Sequence, residues 1–170
     1  MKSLAVVIYI DGASRGNPGQ AGAGILITDG EGKRLAGISR FLGHKTNNEA
    51  EYGALLVGVG EAKRLGATSV QVFTDSELIA RQVQGIYRVK DLKLKPLHQT
   101  VMQSVKGFSS FHIESIPREL NEEADRLANQ AIQQAMGKAK KKGGKEGDER
   151  VASHDGPGNG EPGERKVRAP

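Results

Sequence analysis

Residues 4–42 read LAVVIYIDGASRGNPGQAGAGILITDGEGKRLAGISRFL, and three runs within them have strand character before any helical pattern begins. Leu4 to Ile10 is a continuous, largely β-branched run that stops at Asp11. The GASRGNPG that follows is dense in turn-forming residues and predicts a loop. Ala23 to Thr28 and Lys33 to Leu42 flank Asp29-Gly30-Glu31-Gly32, whose Asp-Gly pair favours a tight reversal, so these two runs predict an antiparallel hairpin.

Beyond this stretch the period changes. From Asn47 or Asn48 to Leu65, apolar residues fall at Tyr52, Leu55, Leu56, Val59, Ala62 and Leu65, a helical stripe closed by Gly66. Ser69 to Thr74 alternates as a strand and runs into Asp75, Ser76 and a short helical segment from Glu77 to Val83. Leu92 to Val105 has a weaker helical pattern, Phe108 to Ile116 predicts a strand, and Asn121 is placed to cap a last helix striped by Ala124, Leu127, Ala128, Ala131, Ile132 and Ala135. Three strands, a helix, a strand, one or two helices, a strand and a helix predict an α/β fold: a mixed five-stranded sheet, its first three strands antiparallel, flanked by helices.

Composition sets further bounds. The 170 residues suffice for one ordinary domain, and the absence of cysteine excludes a disulfide framework, a zinc ribbon and a thiol nucleophile. Any metal must take oxygen or imidazole ligands, and the reducing cytoplasm is the expected compartment. The apolar run at residues 4–10 is too short for a membrane span and lacks the cleavage site of a signal peptide, so no membrane partner is expected. Of the formal net charge of +5, nine Lys/Arg and six acids lie between Gly137 and Pro170, leaving only +2 on the rest. The composition breaks at Gly137, where periodic apolar residues give way to a lysine cluster and then Gly, Pro and mixed charge. A domain over 1–136 and a disordered 137–170 tail are the expectation. With no exposed heptad pattern, a monomer is expected.

Four acids occupy places where chemistry gathers in such sheets. Asp11 ends the first apolar run, Asp75 ends the fourth, and Glu51 and Asp125 fall in first turns of helices. Functional groups collect beyond the carboxyl ends of strands, where helix N-termini also arrive. An acid in a helix first turn by itself reads as a response to the macrodipole. Two anions at neighbouring strand ends repel unless something positive sits between them, and a hard divalent cation such as Mg²⁺ accepts several carboxylates. Two such ions about 4 Å apart suit phosphodiester hydrolysis.

The strings YIDGASRGNPG, TNNEAEYGALL, VFTDSELIARQV and NEEADRLANQA resemble, in order and context, the four motif blocks of the type 1 ribonuclease H family, over residues 4 to 135. The resemblance implies a ribonuclease H-like fold and an endoribonuclease that hydrolyses the RNA strand of RNA/DNA hybrids. It implies two Mg²⁺ ions, with Mn²⁺ as a substitute, and products with 5′-phosphate and 3′-hydroxyl ends. By motif, Asp11 would bridge both metals, Glu51 and Asp75 would hold the second, and Asp125 would help hold the first near the attacking water. The glycine-rich loop and the Thr-Asn-Asn block match hybrid contacts at Ser14, Arg15, Asn17, Thr46, Asn47 and Asn48. Short hydroxyls and amides of this kind can read a 2′-hydroxyl, which only RNA carries; without the resemblance these residues read equally well as turn and cap chemistry.

The departures from the family pattern carry expectations too. Many members place a His in the loop before the last helix; here that loop, SIPRELNEEAD, has none, and Arg118 stands nearest, as in a subgroup with Arg there. Arginine stays protonated, so it can orient or neutralise phosphate but cannot shuttle a proton. His98 and His112 read as structural, His154 lies in the tail, and His44, two residues before Thr46, is the one histidine placed to reach the site. Glu77 stands where members often carry Gln, which would weaken hybrid contacts. The basic insertion that some relatives use to grip the hybrid is missing, although Arg88, Lys90, Lys93 and Lys95 remain. The cluster Lys138 to Lys145 could add salt-sensitive phosphate contacts. Three alternatives stand beside the leading reading: a catalytically weak nucleic-acid-binding protein of the same fold, a relative that also cuts double-stranded RNA, and a phosphate-loop ATPase. The last lacks the Gly-Lys-Ser/Thr ending such loops require.

Overall fold

A computed structural model of the chain describes residues 3–155, with side chains for residues 3–138. The elements follow the expected order: β1 (Ala5–Gly16), β2 (Gly19–Asp29), β3 (Arg34–Lys45), α1 (Asn47–Arg64), β4 (Ser69–Thr74), α2 (Glu77–Gln84), α3 (Lys95–Val105), β5 (Ser110–Ser115), a single 3-10 turn at Arg118–Leu120, and α4 (Glu122–Asp155). The five strands form one mixed sheet in the order β3-β2-β1-β4-β5. The β1–β2 and β2–β3 pairs are antiparallel, and β4 lies parallel to both β1 and β5.

The expectation of a loop after Ile10 is corrected. β1 continues six residues past it, and Gly12-Ala13-Ser14-Arg15 pair in register with Ala23-Gly22-Ala21-Gln20 of β2. Small residues have little strand preference of their own, and here the cross-strand ladder supplies what propensity lacks. On the other side β1 leaves β4 at Ile10, opposite Thr74. Asp11 therefore sits not at the end of a strand but at the point where the sheet divides. β2 and β3 likewise extend beyond the expected runs, whereas α3 starts three residues later than expected, with Pro96 in its first turn.

Alternation along β1 and β2 sends Ile8, Ile10, Ile25 and Ile27 to one face, where α1 covers them with Tyr52, Leu55, Val59 and Ala62; all are fully buried. Complete burial of each Ile or Leu contributes roughly 1.5–3 kcal/mol. The opposite face of β2 presents Gly22 and Gly24, and the α4 backbone at Ala124 and Ala128 lies so close that neither glycine has room for a methyl group. Ala124, Leu127, Ala128, Ala131 and Ile132 seal that side.

The chain divides into compact units at Met1–Ile132 and Gln133–Pro170. The first holds the sheet and every site residue named above. In the second, α4 continues through the composition change at Gly137 to Asp155, so that change is not an element boundary. Residues 156–170 of the expected tail, and the side chains of the lysine cluster beyond Lys138, lie outside the described residues. No described helix is long and apolar enough to cross a membrane.

Candidate active site

Asp11, Glu51 and Asp75 each place a carboxylate oxygen within 4.8 Å of the others, the one such acidic cluster among the described residues. Each arrives by a different local device. Asp11 stands where β1 parts from β4. Glu51 rides in the first turns of α1, whose start is fixed by a full capping box: the Thr46 hydroxyl accepts from the Glu49 N–H at 3.1 Å, and the Glu49 carboxylate accepts from the Thr46 N–H at 2.9 Å. Asp75 follows β4 directly and precedes Ser76, the N-cap of α2. Asp125, half-buried in the first turn of α4, joins through Asp11, whose carboxyl it meets at hydrogen-bonding range.

Glycine makes the convergence possible. Gly12 lies against the backbone of Ala50 and Glu51, and its N–H donates to the Glu51 carboxylate. Thr74, fully buried, donates its hydroxyl to Glu51 Oε1 at 3.4 Å and accepts from the Ser76 N–H at 3.0 Å. Along the sequence Gly12 reads only as a turn residue and Thr74 only as the end of a strand. The signal for both was their position immediately beside an acid.

The electrostatics are those of anions without a counter-charge. Burial, and then the charges of Glu51 and Asp75, push the Asp11 carboxyl up to about 9. Burial pushes Glu51 up to about 8, against the Gly12 N–H and a hydrogen bond with Asp11 that both favour its charge. Both carboxyls are thus held above the ordinary carboxylate range, by burial first and by neighbouring charge second. Asp75 Oδ2 is buried with no hydrogen-bond donor. Its nearest cation is Arg118, at 4.0 Å from Nε, but that side chain is 81% exposed and gives little compensation. Clustered carboxylates, an orphaned buried oxygen and, among the described residues, no buried Lys or Arg match the all-oxygen donor set of a hard divalent metal, which this cluster can hold.

A stability consequence follows from the metal-free electrostatics. An unfolded carboxyl ionises near pH 4 and the folded pair only near 8 to 9, so between these values the folded state binds the extra proton. Metal-free protein should therefore lose stability as pH rises from about 4 to 9. Asp11→Asn should flatten that slope and raise Tm at pH 8 by roughly 5 °C, read by calorimetry in a chelator. An unchanged Tm would mean that the carboxylates do not strain the metal-free fold.

The other expected site residues divide into two groups. Around the first hairpin, the Ser14 hydroxyl donates to the carbonyls of Gly16 and of Lys45, the latter at 2.9 Å, and Asn17 Oδ1 accepts from the Asn47 N–H at 3.0 Å. These bonds tie the β1–β2 turn to the start of α1, bringing Ser14, Asn17, Thr46 and Asn47 together. Arg15 is exposed and meets Asn129 Oδ1 at 3.5 Å, while Asn129 Nδ2 donates to the Asp125 carboxylate at 3.3 Å. Asn48 lines a separate groove of about 560 Å³ with Tyr87, Arg88 and Lys90. Glu77 is exposed and pairs with Arg81 at 3.4 Å, a surface contact on α2. Of the histidines, His98 Nε2 meets the Gln82 carbonyl at 3.1 Å and packs edge-on against buried Tyr52, in keeping with a structural role.

Comparison with known proteins gives this arrangement relatives. The reverse transcriptase-like family matches residues 9–131. A bifunctional protein of Mycobacterium tuberculosis is 41% identical over 133 residues, covering 78% of this chain and 36% of that one, so the chain spans about a third of that relative's length. Ribonuclease HI of Halobacterium salinarum is 37% identical over 127 residues, covering 75% and 64%. The crystal structure of RNase H1 from that archaeon aligns with a TM-score of 0.75 at 36% identity, covering 76% of this chain and 98% of that one. LC11-RNase H1, solved in complex with an RNA/DNA hybrid, aligns with a TM-score of 0.74 at 40% identity, covering 77% and 99%.

Proposed function

Since this chain belongs to the ribonuclease H family, we propose that it is a metal-dependent endoribonuclease that hydrolyses the RNA strand of RNA/DNA hybrids. The convergence of Asp11, Glu51 and Asp75 from three separate elements is the observation that carries this reading. Two Mg²⁺ ions held there would supply an activated water and charge stabilisation for the leaving 3′-oxygen, giving 5′-phosphate and 3′-hydroxyl ends. In this reading Asp11 would be shared between the two sites, Glu51 and Asp75 would help hold one ion, and Asp125 would help hold the other. The chain's own part begins with ionisation of Asp11 and Glu51, which burial and the neighbouring carboxylates oppose and a bound cation would favour. Ser14, Arg15, Asn17, Thr46, Asn47 and Asn48 would track the hybrid's shallow groove. Ser14 and Thr46 already serve their own backbone, so fresh contacts from them require donors or acceptors still free on the same atoms. Glu77 faces solvent beside Arg81 and would weaken rather than make phosphate contacts.

The reading extends to the subgroup with Arg in place of the loop His and without the basic insertion. Residues 85–94 alone join α2 to α3, and Arg118 stands at the rim with Nε 4.0 Å from Asp75 Oδ2. A permanently charged group there orients phosphate and titrates nothing. Arg118→Ala should lower kcat by roughly tenfold without changing the shape of the pH–rate profile. A neutral-pH inflection that vanishes in the variant would assign Arg118 a different role. As a domain reading, residues 1–136 carry the activity and 137–170 form an accessory extension.

The test is cleavage of end-labelled RNA/DNA hybrid, double-stranded RNA, single-stranded RNA and double-stranded DNA in Mg²⁺, Mn²⁺ or EDTA. Metal-dependent cutting confined to the RNA of the hybrid is expected. Hybrid binding without cutting would make the protein a binding module, and equal cutting of double-stranded RNA would widen its substrate class.

A further inference from the structure

Asn121 does not do what its place in the sequence suggests. An Asn ahead of a helix is expected to cap it with its side-chain oxygen. Here Oδ1 has no hydrogen-bond partner, although the residue is 1% exposed. Its Nδ2 donates to the Ile10 carbonyl at 2.8 Å. Ile10 is the last β1 residue paired with β4, so this bond is made where the ladder stops, and the next residue along the chain is Asp11. On its other side, the Asn121 carbonyl accepts from the Asp125 N–H at 3.2 Å.

Two hydrogen bonds through one buried residue thus connect the peptide carbonyl just before Asp11 to the Asp125 N–H. Ile10 to Thr74 and Thr74 to Glu51 already bind the other side of the cluster into the sheet. Asp125 has no equivalent ladder: α4 packs across Gly22 and Gly24 of β2, and β3 holds it through the Ser39 hydroxyl on the Leu127 carbonyl and Arg34 on Glu123 at 3.0 Å, but only the Asn121 bond joins its first turn to β1 beside Asp11. Resting on the proposed function, we propose that Asn121 is a positioning residue that locks the first turn of α4 to the end of β1 and so fixes the Asp11–Asp125 pair for a divalent cation.

The test compares full-length wild type, Asn121→Ala and Asn121→Leu with Val101→Ala, a buried α3 substitution remote from the cluster that serves as a stability control. Leu keeps the bulk and removes the donor. Mn²⁺ binding to the metal-free proteins by calorimetry, and kcat, KM and the Mg²⁺ requirement for hybrid cleavage, are measured at a temperature where all four are folded. Both Asn121 variants should bind Mn²⁺ about 10-fold more weakly and need correspondingly more Mg²⁺, with kcat lower by about 10- to 100-fold and KM for the hybrid within about twofold. Val101→Ala should leave the Mn²⁺ isotherm and Mg²⁺ requirement unmoved despite its lower Tm. Asn121 variants whose isotherms superimpose on wild type, or that differ from it only as Val101→Ala does, would overturn the positioning role. A wild type that neither binds Mn²⁺ nor cleaves would instead overturn the proposed function, and this inference with it.

Discussion

Asp75→Asn is expected to reduce metal-dependent hybrid cleavage by roughly 10³-fold or more while leaving the fold intact. Asp75 Oδ2 is buried and lacks any donor, so replacing the carboxylate breaks no hydrogen bond made by that oxygen. Asn keeps the shape of the side chain, and Ser76 rather than Asp75 caps α2. The substitution also removes one of the charges pressing on Asp11 and Glu51, so metal-free Tm should hold or rise. What is lost is a negative oxygen in a cluster whose oxygens lie within 4.8 Å of one another. The effect should fall on kcat and metal affinity and leave KM for the hybrid nearly unchanged, because Asp75 is not among the residues that track the groove. Cleavage within tenfold of wild type would remove the cluster from the mechanism.

Gly12→Ala should be strongly damaging to both fold and site. A β-carbon at residue 12 would overlap the carbonyl group of Ala50 and the amide of Glu51, both backbone, which no side-chain rotation relieves. Either α1 lifts from β1 or β1 loses its register with β2. Both routes also pull the Gly12 N–H away from the Glu51 carboxylate. A loss of about 3 kcal/mol is expected, with Tm lower by roughly 10 °C and cleavage reduced by about 100-fold even where the variant is fully folded. Gly30→Ala is the matched comparison, since nothing lies within 4 Å of a β-carbon there; its stability should stay within about 0.5 kcal/mol of wild type. Equal effects at both positions would show that the close approach at Gly12 carries no special constraint.

Element types and the identity of the acids could be read along the chain because both are written in local patterns. The α1 stripe of Tyr52, Leu55, Val59 and Ala62 is wholly buried as its 3.6-residue period requires, and β4 alternates between buried and half-buried positions. The four motif strings add the expectation of a carboxylate cluster, which no periodicity contains. Local patterns failed where a distant partner overrides them. Gly12 to Gly16 read as a loop because Gly, Ala and Ser carry no strand preference, yet β2 draws them into a ladder. Asn121 read as a cap because the local code permits it, yet a carbonyl 111 residues earlier takes its donor.

The residues therefore settle which side chains are available: carboxylates and no thiol, a permanently charged Arg118 and no loop histidine, and small residues wherever backbones must touch. Their spacing is settled elsewhere. Because β4 lies parallel beside β1, Asp75 emerges next to Asp11; because β1 leaves β4 after Ile10, Asp11 stands in the opening; and because Gly12 lacks a side chain, α1 comes close enough to deliver Glu51. Each of these is a contact between segments far apart along the chain. Their geometry depends on how the whole sheet pairs and twists, and no local stretch of sequence encodes that.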